Sequence, residues 1–157
     1  MNSSISGAVV VDANILVAIS SKETATLSKA QTALSDYAKL GYRLYAPGVV
    51  VGETLFALCQ KLQNGFLLGP AHAAAIVSLD ALLKLLTPPP DGDTSLMLRA
   101  EQIRNGYGCS HSANGLYIAL AEQLSQSQPT TLLTLDVGLS KQATQNAPTV
   151  TVDLIVP

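Results

Sequence analysis

The sequence runs to 157 residues with 9 Lys and Arg against 11 Asp and Glu, a net charge of -2, 48% hydrophobic side chains and only 13% charged ones. That length suits one compact domain with a sizeable core, and a charged fraction about half the usual ~25% excludes a disordered tail, a collagen-like repeat or a disulfide scaffold. So few cations also argue against a broadly basic nucleic-acid surface, unless a metal ion or a local patch supplies positive charge.

Ala8 to Asp12 is a short β-branched run ending in an acid, the pattern of a buried strand with a polar residue at its carboxyl end. Asn14 opens a short apolar helix. Leu27, Ala30, Leu34 and Tyr37 recur at helical intervals and predict a helix that stops at Gly41. Tyr42 to Ala46 forms a second strand, closed by Pro47 and Gly48. Next, Leu55, Leu58, Cys59 and Leu62 make an apolar helical stripe ending at Asn64 and Gly65, with Glu53 in its opening turn, where an acid suits the helix dipole.

Pro70 opens another helix with Ile76, Leu79, Leu83 and Leu86 on one face, and Pro88, Pro89 and Pro90 stop it. The Pro88 to Gly92 segment is too short for an interdomain linker and connects two helices or carries a brief strand. Asp93 or Thr94 caps a fifth helix running to about Asn105 and Gly106. Ser110 to Ser112 offer N-caps for a helix that buries Leu116, Tyr117, Leu120, Ala121 and Leu124 and carries Asn114 in its first turn or two. Thr131 to Leu135 reads as a buried strand ending at Asp136, Leu139 to Ala143 as a short helix, and Val150, Val152, Leu154 and Val156 as a last strand. Strands separated by helices predict an α/β fold, a mainly parallel sheet covered on both faces, in a single domain over residues 1–157.

Cys59 and Cys109 sit beside apolar residues without any Cys or Cys/His ligand spacing, which predicts two buried free thiols in a reducing, cytoplasmic compartment. The apolar stretch from Ala8 to Ile19 has no basic lead-in and holds Asp12 and Asn14, so neither a signal peptide nor a membrane anchor is expected. His111 reads as a surface or capping histidine and His72 as an exposed first-turn residue. Asp91 and Asp93 read as turn and cap acids, Asp153 as a peripheral solvated residue, and Arg99 and Arg104 as a solvated helix face.

Two strands thus end in an acid, at Asp12 and Asp136. In open α/β sheets, ligand sites gather beyond the carboxyl ends of the strands, so both can project into one crevice although they are far apart in sequence. Glu53 and Asn114, each near the start of a helix, add further oxygen donors. Hard oxygen donors without adjacent histidines suit Mg²⁺ or Mn²⁺, not zinc or iron, and phosphoryl chemistry is the natural use of such a cation. No GxGxxG or GxxxxGK[ST] pattern supports a nucleotide-binding loop.

The segments Val-Val-Asp12-Ala-Asn14-Ile-Leu, Pro47-Gly-Val-Val-Val-Gly-Glu53-Thr-Leu-Phe-Ala-Leu, Ser112-Ala-Asn114-Gly-Leu-Tyr117-Ile-Ala-Leu-Ala-Glu122 and Leu-Leu-Thr134-Leu-Asp136 resemble the successive motifs of PIN domains, most closely the VapC-type toxins of toxin-antitoxin pairs. The resemblance covers almost the whole chain. It implies a three-layer α/β/α sandwich acting as a Mg²⁺- or Mn²⁺-dependent endoribonuclease on RNA, with a small antitoxin protein as partner and a homodimer as the assembly. Asp12, Glu53 and Asp136 match the family's acidic metal-site positions, while Asn14 and Thr134 match its supporting polar residues. Asn114 departs from the usual Asp. An amide oxygen still ligates a hard cation but adds no net charge and cannot serve as a base, so weaker metal binding and slower catalysis are expected. The same substitution and the scarcity of cations open a second expectation, a PIN-like RNA- or protein-binding module with weak or absent nuclease activity.

Overall fold

A computed structural model describes residues 6–109 and 113–157. Four parallel strands, β1 (Gly7–Val11), β2 (Tyr42–Tyr45), β3 (Thr130–Thr134) and β4 (Thr151–Leu154), form one sheet in the order β2-β1-β3-β4. Every residue of β1 is buried, as its unbroken apolar run requires of a strand covered on both faces. Gly7 admits no larger residue: a Cβ there would lie 2.6 Å from the Pro129 carbonyl and 2.8 Å from the Tyr42 ring. Beyond β2, Thr87 adds one parallel bridge, donating to the Leu44 carbonyl and accepting from Ala46 N–H. The brief strand therefore falls just before the proline run.

The helices are α1 (Ala13–Ser20), α2 (Leu27–Lys39), α3 (Val49–Gln63), α4 (Gly69–Leu83), α5 (Met97–Arg104), α6 (Asn114–Ser125) and α7 (Val137–Asn146), with a short 3-10 turn at Asp93–Leu96. The chain moves outward from β1 to β2, then returns past β1 to β3 and β4. Helices α1 and α2 lie in the connection from β1 to β2, and α6 and α7 flank β3 in the chain; the right-handed rule for parallel crossovers, applied to this strand order, puts the two pairs on opposite faces. The result is the expected α/β/α sandwich. Its core joins Val9, Val10, Leu132 and Leu133 of the sheet to Ile15, Leu58, Ile118 and Leu120 of the helices. Among the described residues, no helix is long and apolar enough to cross a membrane.

Several local expectations change. Helix α3 starts at Val49, where three consecutive valines suggest extended backbone, so Glu53 lies in the second turn and not the first. The start is fixed from a distance: the Asp93 carboxylate accepts from Gly48 N–H at 2.8 Å and Val49 N–H at 3.3 Å. Asp93 is thus a cap, but for α3. The apolar stripe of α3 splits between two faces. Val50, Thr54 and Leu58 point inward, whereas Leu55, Cys59 and Leu62 are exposed beside Val51. Cys59 and Cys109 are both exposed free thiols, contrary to the buried pair expected, because α3 is apolar over a wider arc than its neighbours cover and Cys109 follows the loop turn at Gly108. Arg99, Arg104 and Asp153 are also committed. Arg99 donates to both carboxylate oxygens of Glu122, at 2.6 and 2.9 Å, Arg104 pairs with Glu101, and Asp153 accepts from the Tyr37 hydroxyl at 2.7 Å. The capping serines 110 and 112 and His111 lie outside the described residues.

Candidate active site

The strand order reverses between β1 and β3, and a crevice opens there beyond their carboxyl ends. Asp12 follows β1 directly and is only 5% exposed. It occupies the N-cap position of α1 yet makes no capping bond to it; its carboxylate instead accepts from the Thr134 hydroxyl at 2.6 Å. The same Thr134 oxygen accepts from the Asp136 N–H at 2.9 Å, so one buried hydroxyl links the two strand-ending acids. Asn14 completes the corner by accepting from Leu135 N–H at 3.1 Å. Asp136 itself caps α7, accepting from Gly138 N–H at 2.7 Å.

Glu53 reaches the crevice from α3. Its Oε1 accepts from the hydroxyl of Tyr117 on α6 at 2.6 Å. Asn114, 8% exposed, is the first residue of α6, and its Nδ2 donates to Oε1 of Gln142 on α7 at 2.8 Å. The helix can come this close to α5 because Gly115 has no side chain: a Cβ would lie 2.7 Å from the Ala100 carbonyl. Tyr117 and Gln142 are partners that sequence reasoning missed. Tyr117 read only as a core residue, although its spacing of three from Asn114 places it on the same helix face. Gln142 gave no signal, since its contact joins two helices distant in sequence.

Asp12, Glu53, Asn114 and Asp136 all line one pocket of about 250 Å³, together with Ala13, Asn14, Val17 and Ala57. No Lys or Arg is among these lining residues. Burial, reinforced by the charges of Glu53 and Asp136, raises the Asp12 carboxyl to about 7, against the lowering effect of the Thr134 hydroxyl and the Ala13 N–H. Burial also raises Glu53, while the hydrogen bond from Tyr117 acts in the opposite direction. Burial and the Glu53 carboxylate push the Tyr117 hydroxyl well above its ordinary range, so it stays a donor. Among the described residues, no three His, Cys, Asp or Glu side chains form a closed group around a common point. The donor set nevertheless fits Mg²⁺ or Mn²⁺, because such ions keep several waters and need only one or two direct carboxylates. A cation there would also offset the burial and the neighbouring charges that raise Asp12.

The fold and pocket together define an α/β/α sandwich with an acidic crevice at its switch point. No protein-family model matches the sequence, and no curated protein matches it. A chain of the crystal structure of VapBC2 from Rickettsia felis, bound to a DNA fragment from their promoter, is similar in fold, with a TM-score of 0.62 and 16% identity over 94% of this chain and 98% of that one. The likeness spans essentially both chains and bears out the PIN-like sandwich expected from the four sequence motifs.

Proposed function

We propose that the chain is a Mg²⁺- or Mn²⁺-dependent endoribonuclease of the PIN class and the toxin of a toxin-antitoxin pair. The observation that carries this reading is the convergence of Asp12, Glu53, Asp136 and the Asn114 amide on one pocket without a neutralising cation among its lining side chains. A bound divalent ion supplies charge neutralisation at the scissile phosphate and activation of the attacking water. Asp12, Glu53 and Asp136 would hold it, with the Asn114 carbonyl assisting. Thr134 orients Asp12 and Tyr117 orients Glu53, so each carboxylate presents a defined oxygen to the pocket. The narrow crevice accepts one phosphate of an exposed, unpaired RNA segment more readily than a duplex.

The fold likeness to a chain of a VapBC2 complex supports an antitoxin partner. Exposed Val51, Leu55 and Phe56 on α3, with Phe66 and Leu68 beyond its end, give an antitoxin or a second copy of the chain an apolar surface. Cleavage of a single-stranded RNA with Mg²⁺, Mn²⁺ or EDTA, by the natural chain and Asp12→Asn, tests the enzyme reading. Metal-dependent cutting lost in the variant supports it, and no cutting by the natural chain under any condition overturns it. One observation favours a second reading, a binding module: the neutral Asn114 leaves the pocket one charge short of the family pattern. Metal binding without turnover, unchanged by Asn114→Asp, distinguishes that module.

A further inference from the structure

Two pocket residues, Asn14 and Asn114, have side chains with chemically opposite ends, and the oxygen of Asn14 already accepts from Leu135 N–H, so Asn114 is the amide whose orientation bears on the pocket. Its oxygen accepts or ligates, and its NH₂ only donates. With three carboxylates lining the same pocket, electrostatics alone favours turning the NH₂ inward, which leaves no oxygen for a cation. In the structure the NH₂ is committed elsewhere: Nδ2 donates at 2.8 Å to Oε1 of Gln142, which is not among the residues lining the pocket. Gln142 is half-buried on α7, the helix whose N-terminus Asp136 caps. One rigid element therefore carries both Asp136 and the acceptor for Asn114.

We propose that Gln142 is a positioning residue that holds Asn114 with its carboxamide oxygen toward the pocket of Asp12, Glu53 and Asp136. The proposal rests on the reading of that pocket as a cation site. Gln142 touches neither ion nor substrate; it acts through Asn114. An acceptor at position 142 is what the role needs. Gln142→Glu therefore preserves the orientation, and Gln142→Leu abolishes it.

The first test needs no metal. In ¹⁵N NMR spectra of the metal-free chain, the Asn114 side-chain NH₂ is protected from solvent exchange, Gln142→Leu removes that protection and Gln142→Glu retains it. Unchanged exchange in Gln142→Leu overturns the proposal. The second test is Mn²⁺ titration: Gln142→Leu weakens binding about tenfold in the natural background and not at all in Asn114→Ala, as expected for a partner acting only through a ligand. An equal loss in both backgrounds assigns Gln142 a merely structural role and overturns the proposal. If the natural chain binds no Mn²⁺, the cation reading fails by itself. The NH₂ exchange then decides the positioning role: protection lost in Gln142→Leu upholds it, and protection retained overturns it.

Discussion

Asp12 and Asp136 end neighbouring parallel strands and look alike in sequence, yet the fold gives them different work. Asp12 is buried, makes no capping bond, and has its carboxyl raised to about 7. Asp136 lies partly open and spends one oxygen on the first turn of α7. A charge held out of water against only the Thr134 hydroxyl and the Ala13 N–H is costly to the fold, whereas a helix cap stabilises it. The acid that costs the fold most is therefore the stronger functional candidate.

Substituting the two acids separately should give the largest effects. Asp12→Asn is expected to reduce RNA cleavage and Mn²⁺ affinity at least about a hundredfold, more than the loss of an outer partner costs. The same change should raise the melting temperature of the metal-free protein at alkaline pH, because it removes a buried charge. The sign follows from linkage. The folded-state carboxyl is raised from 3.8 to about 7, so its contribution to stability is full below 3.8 and is lost as pH rises through about 7. That contribution is on the order of a few kcal/mol. The metal-free natural chain should accordingly lose stability between about pH 4 and 7, and Asp12→Asn should flatten the profile. Asp136→Asn should also lower activity but leave stability within about 0.5 kcal/mol, since Asn caps a helix as well as Asp. Equal pH profiles for the natural chain and Asp12→Asn would remove the contrast.

Thr134 ties the two acids together, and its removal should come next in size. Thr134→Val deletes the donor to Asp12 and the acceptor for Asp136 N–H at one stroke. Thermal or urea unfolding should show a loss of about 1–3 kcal/mol, the cost of leaving buried polar groups unsatisfied. Mn²⁺ affinity should fall about 10- to 100-fold. Thr134→Ser keeps the hydroxyl and should recover most of both. A serine variant as damaged as the valine one would show that the methyl group matters and the bridge does not.

Much of this geometry is legible from residues alone. Strand ends at Asp12 and Asp136 follow from apolar runs closed by acids, and the alternation of strands and helices gives the parallel sheet. Glu53 is legible as an acid near a helix start, but the start itself, at Val49, is not, because Val49 to Val51 favour extended backbone and the capping Asp93 is remote in sequence. Local pattern also cannot tell which apolar side chains of α3 are left uncovered, so Leu55, Cys59 and Leu62 read as core. The supports of the site were the least legible. Tyr117 and Gln142 act through contacts between helices, and such contacts depend on how close α5, α6 and α7 approach one another.

Glu53 offers a smaller version of the comparison, since it too is a partly buried acid with one hydroxyl donor. Tyr117→Phe keeps the ring in the core and removes only that donor. Burial then acts on Glu53 unopposed by the Tyr117 hydroxyl, so its carboxyl should rise further. Mn²⁺ affinity should fall about tenfold, and the loss should be larger toward acid pH than toward alkaline pH. A loss independent of pH would mean that the hydroxyl orients Glu53 without affecting its charge.

The smallest effect is expected where charge is added and not removed. Asn114→Asp restores a fourth carboxylate, and Gln142 can accommodate it by turning its amide to donate where it now accepts. Attraction for a divalent ion rises, but the new charge also repels Asp12 and Glu53, whose carboxyls burial already holds high. These opposing effects leave a net gain in Mn²⁺ affinity of about three- to tenfold at neutral pH. The gain should grow with pH, because each neighbouring acid that ionises adds to the attraction without a proton to displace. Cleavage that increases in step with Mn²⁺ affinity would identify the neutral amide as what slows the natural chain. Tighter metal binding without faster cleavage would place the limit at RNA access, consistent with a pocket that has acids and no basic side chain among its described lining residues.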